Sequence, residues 1–333
     1  MKLKALMGAA LCMAMAACNI GPRETGNNAT RGTATIMCDG TFENIFEQEV
    51  EVFEYQYPEA HLLVRYVTQT EAFDSLFSLN TRTIVAARDL TAQEKSALRA
   101  RYRNERDITV NVRSSMIAVD AVAFIVNPAN TCEKLSIPEL GDILSGRTTR
   151  WDELEPSDLG NIRVVIDNSG SSLATFLRDS VLHGELLGPT VVSAGSIPEV
   201  FNIVENDRNA IGVLGVSWIT SDMDCADISS EDLARSVLSD DPVVGATLTQ
   251  RVKVLRVYRA EDAVAYKPYQ QYIFDGSYPL FRQIYMITAA STHNVAGGFY
   301  SFVTGPIGQK IIMKTGILPA RVNIQRVELP ERD

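Results

Sequence analysis

Residues 33–58 read TATIMC, then DGTF, then ENIFEQEVEVFEYQY, then Pro58. The first six are short, β-branched or apolar, and fit a buried strand. Asp39-Gly40-Thr41-Phe42 has the composition of a turn. From Glu43 the apolar residues Ile45, Phe46, Val50, Phe53 and Tyr57 recur at three- and four-residue spacing, which predicts an amphipathic helix over 43–57, stopped by Pro58. The same unit repeats twice. His61–Val67 is a second strand, and Thr68 is the natural N-cap of a helix running to about Ser78. Thr83–Ala87 is a third strand, after which Asp89-Leu90-Thr91 opens a strongly charged third helix. Strand–helix repeated three times is the pattern of an open parallel sheet, so the chain is α/β.

Further along, Met116–Val126 (MIAVDAVAFIV) is a nearly continuous β-prone run, longer than an ordinary strand, closed by Asn127-Pro128. Its length suits a strand that crosses from one lobe to another. Helix Ile137–Leu144 follows, stopped at Gly146, and then strand Ile162–Ile166 feeds the polar turn 167–172 and a helix over Leu173–Val181. Ala210–Ile219 is a buried, glycine-punctuated strand region, and the acidic stretch Glu231–Asp241 is expected at the periphery. Gln283–Thr288 is the second long β run, and Gly298–Lys314 is expected as one last amphipathic helix with Gly316 beyond its end. The two long runs, near Ala121–Val126 and Gln283–Thr288, are expected as two β crossovers between two α/β lobes. Lobe 1 takes residues 33–120 and 285–333, and lobe 2 takes 121–284.

Three turns place hydroxyls and backbone N–H groups at helix N-termini: 39–42, 68–71 and 167–172. In open α/β sheets ligands gather beyond the carboxyl ends of the strands. Unsatisfied N–H groups and the positive end of each helix can hold an anion there without a counter-charge. Capping alone explains any single turn. The run Ser169, Gly170, Ser171, Ser172 is the most specific, because a cap needs only one hydroxyl. The candidate ligand-binding residues are therefore Thr41, Phe42, Thr70, Ser169, Gly170, Ser171 and Ser172. Arg88, just after the third strand, is the candidate fork for a tetrahedral oxyanion.

At the start of the chain, Lys2 and Lys4 precede an apolar run from Ala5 to Ala17 that is too short to span a bilayer. It ends in Met15-Ala16-Ala17-Cys18, which resembles a bacterial lipobox. The resemblance implies a lipoprotein signal peptide over 1–18 with Cys18 lipidated. Residues 19–32 are polar, broken by proline and glycine, and fit a tether between lipid and domain. The whole chain carries a formal charge of −10, becoming about −12 once two lysines leave with the signal. That acidity argues against nucleic acid, whose phosphates require Lys and Arg. Cys38, Cys132 and Cys225 contain no CxxC pair, and His61, His183 and His293 are not at ligand spacing, so no metal is expected. Either Cys132 and Cys225 bridge or all three thiols stay free. No GxSxG elbow, Walker loop or metal-binding carboxylate cluster is present, so an enzyme is not expected and no cofactor is implied.

Several segments together resemble the phosphate ABC-transporter substrate-binding proteins over nearly all of residues 33–325. Leu140-Gly141-Asp142-Ile143-Leu144-Ser145-Gly146 followed by Trp151-Asp152 looks like that family's GDIYxGKIxxW stretch. Asp39-Gly40-Thr41-Phe42 looks like its first phosphate turn, and Ser169–Ser172 like its SGT turn. Ala210-Ile211-Gly212-Val213, Gly308-Gln309-Lys310 and Gly316-Ile317-Leu318-Pro319 also fit. The resemblance implies a type II periplasmic-binding-protein-like α/β fold, with open mixed sheets in two lobes joined by two β crossovers. It implies a monomer that captures phosphate or a related oxyanion for a membrane permease. The chain departs from the family twice. The arginine that precedes the family's SGT turn is absent from Val164-Val165-Ile166-Asp167, and where the family has an aspartate after the third strand this chain has Arg88 beside Asp89. Asp39, Asp89 or Asp167 are the candidates to accept a ligand proton. The alternative expectation is a lipoprotein of the same fold used in envelope sensing, adhesion or assembly.

Overall fold

A computed structural model describes residues 27–220, 230–239 and 248–321. The proposed signal segment, Cys18 and Cys225 lie outside the described residues. The chain opens with three strand–helix units: β1 (Gly32–Asp39), α1 (Glu43–Gln56), β2 (Ala60–Val67), α2 (Gln69–Phe77), β3 (Thr83–Ala86) and α3 (Ala92–Arg106). β4 (Arg113–Val126) follows, and then β5 (Lys134–Ser136), α4 (Ile137–Ser145), β6 (Arg163–Ile166), α5 (Ser172–Ser180), β7 (Val191–Ser193), α6 (Ile197–Asn206) and β8 (Ala210–Gly215). The remaining elements are α7 (Ser230–Leu238), β9 (Lys253–Val254), β10 (Arg256–Tyr258), α8 (Gln270–Phe274), β11 (Phe281–Thr288), α9 (Val295–Val303), α10 (Pro306–Lys314) and β12 (Leu318–Pro319).

The main sheet runs β2-β1-β3-β11-β4-β8-β6-β7, with β9 and β12 also paired to β4. β1 pairs in parallel with β2 and β3, and β6 in parallel with β7 and β8, as strand–helix–strand units require. β11 runs antiparallel between β3 and β4, and β4 runs antiparallel to β8. The fold is therefore mixed α/β of the type II binding-protein kind. β4 joins its two ends: residues 113–121 pair with β11, and residues 122–126 pair with β8. Its 14 residues reach about 45 Å at strand rise, enough to serve both.

The helix starts follow from their caps. Thr68, Thr91 and Ser136 each accept from a backbone N–H three residues on, and Glu71, Glu94 and Glu139 reach back to close a capping box. Gly146 ends α4 at φ 80°, a left-handed conformation that glycine adopts without Cβ strain.

Three expectations change. The last helix is two, α9 and α10, because Pro306 has no N–H to continue the first and instead opens the second. The region 210–219 is strand only to Gly215 and then makes a single 3-10 turn, Val216–Trp218. Within the acidic stretch expected at the periphery, α7 buries Ala234 and Val237, and Lys314 of α10 donates to the Ser236 hydroxyl at 2.6 Å. Its acids face outward while its apolar stripe completes the core. Cys132 is a buried free thiol that donates to the Lys134 carbonyl, and burial pushes it up to about 11.

Candidate ligand-binding cleft

Two helix N-termini from opposite ends of the sheet meet at the carboxyl ends of β1 and β6. After β1, Asp39 accepts from the Thr41 N–H at 3.1 Å and the Thr41 hydroxyl at 3.0 Å through the same Oδ1, which fixes the turn into α1. After β6, Ser171 caps α5 by accepting from the Ala174 N–H at 3.2 Å, and its own hydroxyl donates to Asp167 at 2.8 Å. Thr41 Oγ1 and Ser172 Oγ then lie 3.2 Å apart. Both are buried.

A guanidinium joins them. Arg282 of β11 donates from Nη2 to Thr41 Oγ1 at 3.2 Å and from Nη1 to Ser172 Oγ at 2.9 Å. Its Nε and Nη2 donate to Asp120 Oδ2 at 3.1 and 3.0 Å, and its Cζ stands 4.6 Å from the centre of the Phe42 ring. Asp120 Oδ1 accepts from the Val216 N–H at 3.1 Å. Around this cluster, Trp218 Nε1 donates to the Thr41 carbonyl at 2.9 Å and Asn44 Nδ2 to the Ser217 carbonyl at 2.8 Å. These bonds tie the start of α1 to the turn after β8.

The charge balance is unusual. Three carboxyls, Asp39, Asp120 and Asp167, stand around one guanidinium. Burial raises the Asp39 carboxyl, and Arg282, Ser172 and Thr41 pull it part of the way back. Burial also raises Asp167, with nearby Asp39 adding to the rise. Burial raises Asp120 too, against the pull of Arg282. The cluster offers a cation, two hydroxyls and two helix N-termini, which is the donor set of a small oxyanion site. Among the described residues no group of three or more His, Cys, Asp or Glu is placed to hold a metal.

Of the residues singled out from sequence, Thr41, Phe42, Ser171 and Ser172 come together here. Ser169 and Gly170 are exposed on the same turn, and the Gly170 N–H is spent on Asn168 at 2.8 Å. Thr70 is exposed on α2, whose cap is Thr68. Arg88 does not join the cluster. Its fork donates to both oxygens of Glu94 at 2.9 Å, and its Cζ packs 3.8 Å from the Phe73 ring centre. Glu94, fixed by its capping box, supplies the carboxylate that draws Arg88 away. Arg282 and Asp120 were not anticipated. The signal was a single carboxylate inside the apolar run MIAVDAVAFIV, since a buried charge demands a counter-charge.

The profile of the PBP superfamily domain, the periplasmic-binding-protein superfamily, matches residues 23–306, and the chain belongs to that superfamily. Its fold is that of solved phosphate-transport receptors. A putative phosphate ABC transporter substrate-binding protein from Clostridium perfringens, solved with bound phosphate, is 18% identical with a TM-score of 0.64, covering 87% of this chain and 100% of that one. An ABC-type phosphate transport receptor from Vibrio cholerae is 18% identical with a TM-score of 0.58, covering 86% and 99%. The phosphate-binding protein PstS 2 of Streptococcus pneumoniae is 21% identical over 124 residues, 37% of this chain. That match spans only 38% of the streptococcal protein's length.

Proposed function

We propose that the chain is a lipid-anchored substrate-binding protein of the cell envelope that captures a small oxyanion, phosphate, for an ABC-type importer. The lobes are residues 33–120 with 285–333, and residues 121–284, and the ligand sits between them. Arg282 is the observation that carries this reading: one guanidinium reaches a hydroxyl at the head of α1 and another at the head of α5. It supplies the charge that Val164–Asp167 lacks, from a different strand. Thr41, Phe42, Ser171 and Ser172 line the site, Cys18 carries the lipid, and closure of the lobes is what the permease reads. Family membership supports a binding protein rather than an enzyme.

Isothermal titration and melting of the purified chain with phosphate, sulfate and molybdate test the reading. At 100 times its dissociation constant a bound anion adds about 2.7 kcal/mol of stability. If none of the three shifts the melting curve, the transport reading is wrong. The Arg282 fork is also engaged by Asp120, Thr41 and Ser172 within the protein itself. That engagement favours a second reading, a lipoprotein of this fold whose lobes are held together for envelope sensing, adhesion or assembly.

A further inference from the structure

Among the described residues most surface arginines face a carboxylate, as Arg31, Arg101, Arg147, Arg150 and Arg178 do. Four at the edge of the sheet away from the cleft do not. Arg82 immediately precedes β3, and Arg99, Arg103 and Arg106 follow one another along α3 at four- and three-residue spacing, so these three share one helix face. All four are exposed, and none makes an ion pair among the described residues. Cations in a last turn oppose the negative end of a helix, which accounts for Arg103 and Arg106 but not for Arg82 or Arg99. Glu105 is spent on Arg101 at 2.6 Å, which leaves Asp107 as the acid beside the patch.

Tyr102 lies beneath these arginines. It is 1% exposed, the Arg82 Cζ stands 5.6 Å from its ring centre, and its buried hydroxyl has no partner. Burial raises the pKa of that hydroxyl, and Arg82 and Arg106 are both near enough to pull against the rise. An anionic oxygen arriving between the two guanidiniums would give the hydroxyl its missing acceptor. The place of the patch in the fold matters as well. β1 and β3 are parallel, with Met37 opposite Ile84, so Gly32 and Arg82 enter the sheet at one edge. The contact of Arg82 with Tyr102 brings the last turns of α3 to that edge, and the cleft lies at the opposite, carboxyl ends.

Resting on the lipid-anchor reading above, we infer that Arg82, Arg99, Arg103 and Arg106 form a docking face for anionic phospholipid headgroups. The chain that carries the proposed lipid on Cys18 enters the fold at this edge, so an anchored protein meets its own bilayer here. With a formal charge of −10, the chain as a whole is repelled by an anionic surface. Arginines held near such a surface each contribute about a fivefold gain in affinity. Arg99 and Arg106 are about 10 Å apart along the helix, which suits a surface presenting many phosphates better than one small anion.

Co-sedimentation of the full chain with vesicles tests this, in a Cys18→Ala background so that no acyl chain holds the protein. Vesicles of phosphatidylcholine alone are compared with vesicles that also contain phosphatidylglycerol. Binding is expected to favour phosphatidylglycerol by roughly a hundredfold and to lose that preference in high salt. Adding Arg82→Gln and Arg106→Gln should cut the preference by about tenfold or more. Adding Arg147→Gln and Arg150→Gln instead removes the same charge from ion-paired arginines elsewhere, and should leave it within about threefold. A protein with no preference overturns the inference, and so does an equal loss in the two variants, which would make net charge the cause. Should the Arg82→Gln, Arg106→Gln chain not fold, Arg103→Gln takes its place. It is expected to lose about fivefold, and no loss overturns the inference. The anchor is judged separately: a wild type that binds phosphatidylcholine no better than Cys18→Ala removes the lipid and leaves the measured preference standing.

Discussion

Arg282 and Asp120 are register partners on adjacent antiparallel strands, and their side chains close an ion pair at 3.0 Å that is 3% and 0% exposed. The strand pairing therefore sets the pair before any ligand arrives, and Asp120 aims the guanidinium at Thr41 and Ser172. Removing one partner leaves a charge buried without its counter-ion. Asp120→Ala should cost about 3–5 kcal/mol in urea unfolding. A loss under about 1 kcal/mol would mean that solvent reaches the pair.

Gly215 guards the other side of that carboxylate. A Cβ there would lie 2.6 Å from Asp120 Oδ2 and 3.2 Å from Oδ1. Asp120 has no slack to give, because Arg282 and Val216 fix both oxygens. Gly215→Ala is expected to destabilise the chain by about 1–3 kcal/mol through overpacking and to weaken oxyanion binding with it. Chemical denaturation and titration of one protein sample read both effects, and an unchanged midpoint would contradict the packing argument.

Arg88 gives the opposite expectation. Its salt bridge to Glu94 is on the surface, with side chains 44% and 27% exposed, where such pairs contribute about 0–1 kcal/mol. Arg88→Ala should leave anion affinity within about twofold and change stability by no more than about 1 kcal/mol. A tenfold loss of affinity would put Arg88 back at the ligand.

Glu49 on α1 is fully buried, and neither carboxyl oxygen has a partner. Burial raises its pKa well above the ordinary glutamate value of 4.5. With the folded value above the unfolded one, the folded chain holds the extra proton. Its contribution to stability is whole below about pH 4.5 and is lost as pH rises toward the folded value, by up to about 1.4 kcal/mol per pH unit. Glu49→Gln does not titrate, so its advantage over wild type should widen from pH 4.5 to 8 in scanning calorimetry. Parallel melting curves across that range would show Glu49 ionised in the fold.

Much of this was legible in residues 33–87, where local period and caps agree and three strands and the first two helices fall within a residue or two of expectation. The hydroxyl turns were legible for the same reason, since Thr41 and Ser172 are local features of helix starts. Arg282 was not. It precedes the apolar run Gln283–Thr288 like any solvated flanking residue, and only the pairing of β11 with β4 turns it inward. The split between α9 and α10 was hidden because the apolar period continues through Gly305-Pro306 while the backbone does not. Arg88 stands just after β3, yet Glu94, six residues on, takes its fork, a pairing that appears only once α3 is folded.

β3 and β4 are consecutive along the chain, yet they never touch as sheet neighbours: β11 lies between them, with Thr288 opposite Thr83 and Arg113. A ribosome releases a chain N-terminus first, so the gap in the sheet stays open until β11, more than 150 residues after β4, has been made. Until then β3 and β4 present unpaired edges, and the buried Asp120 has no arginine to face. Loop closure over that span is slow compared with forming the local helices. Pairing of β11 with β3 and β4 thus closes the gap and brings Arg282 to Asp120 in one and the same event.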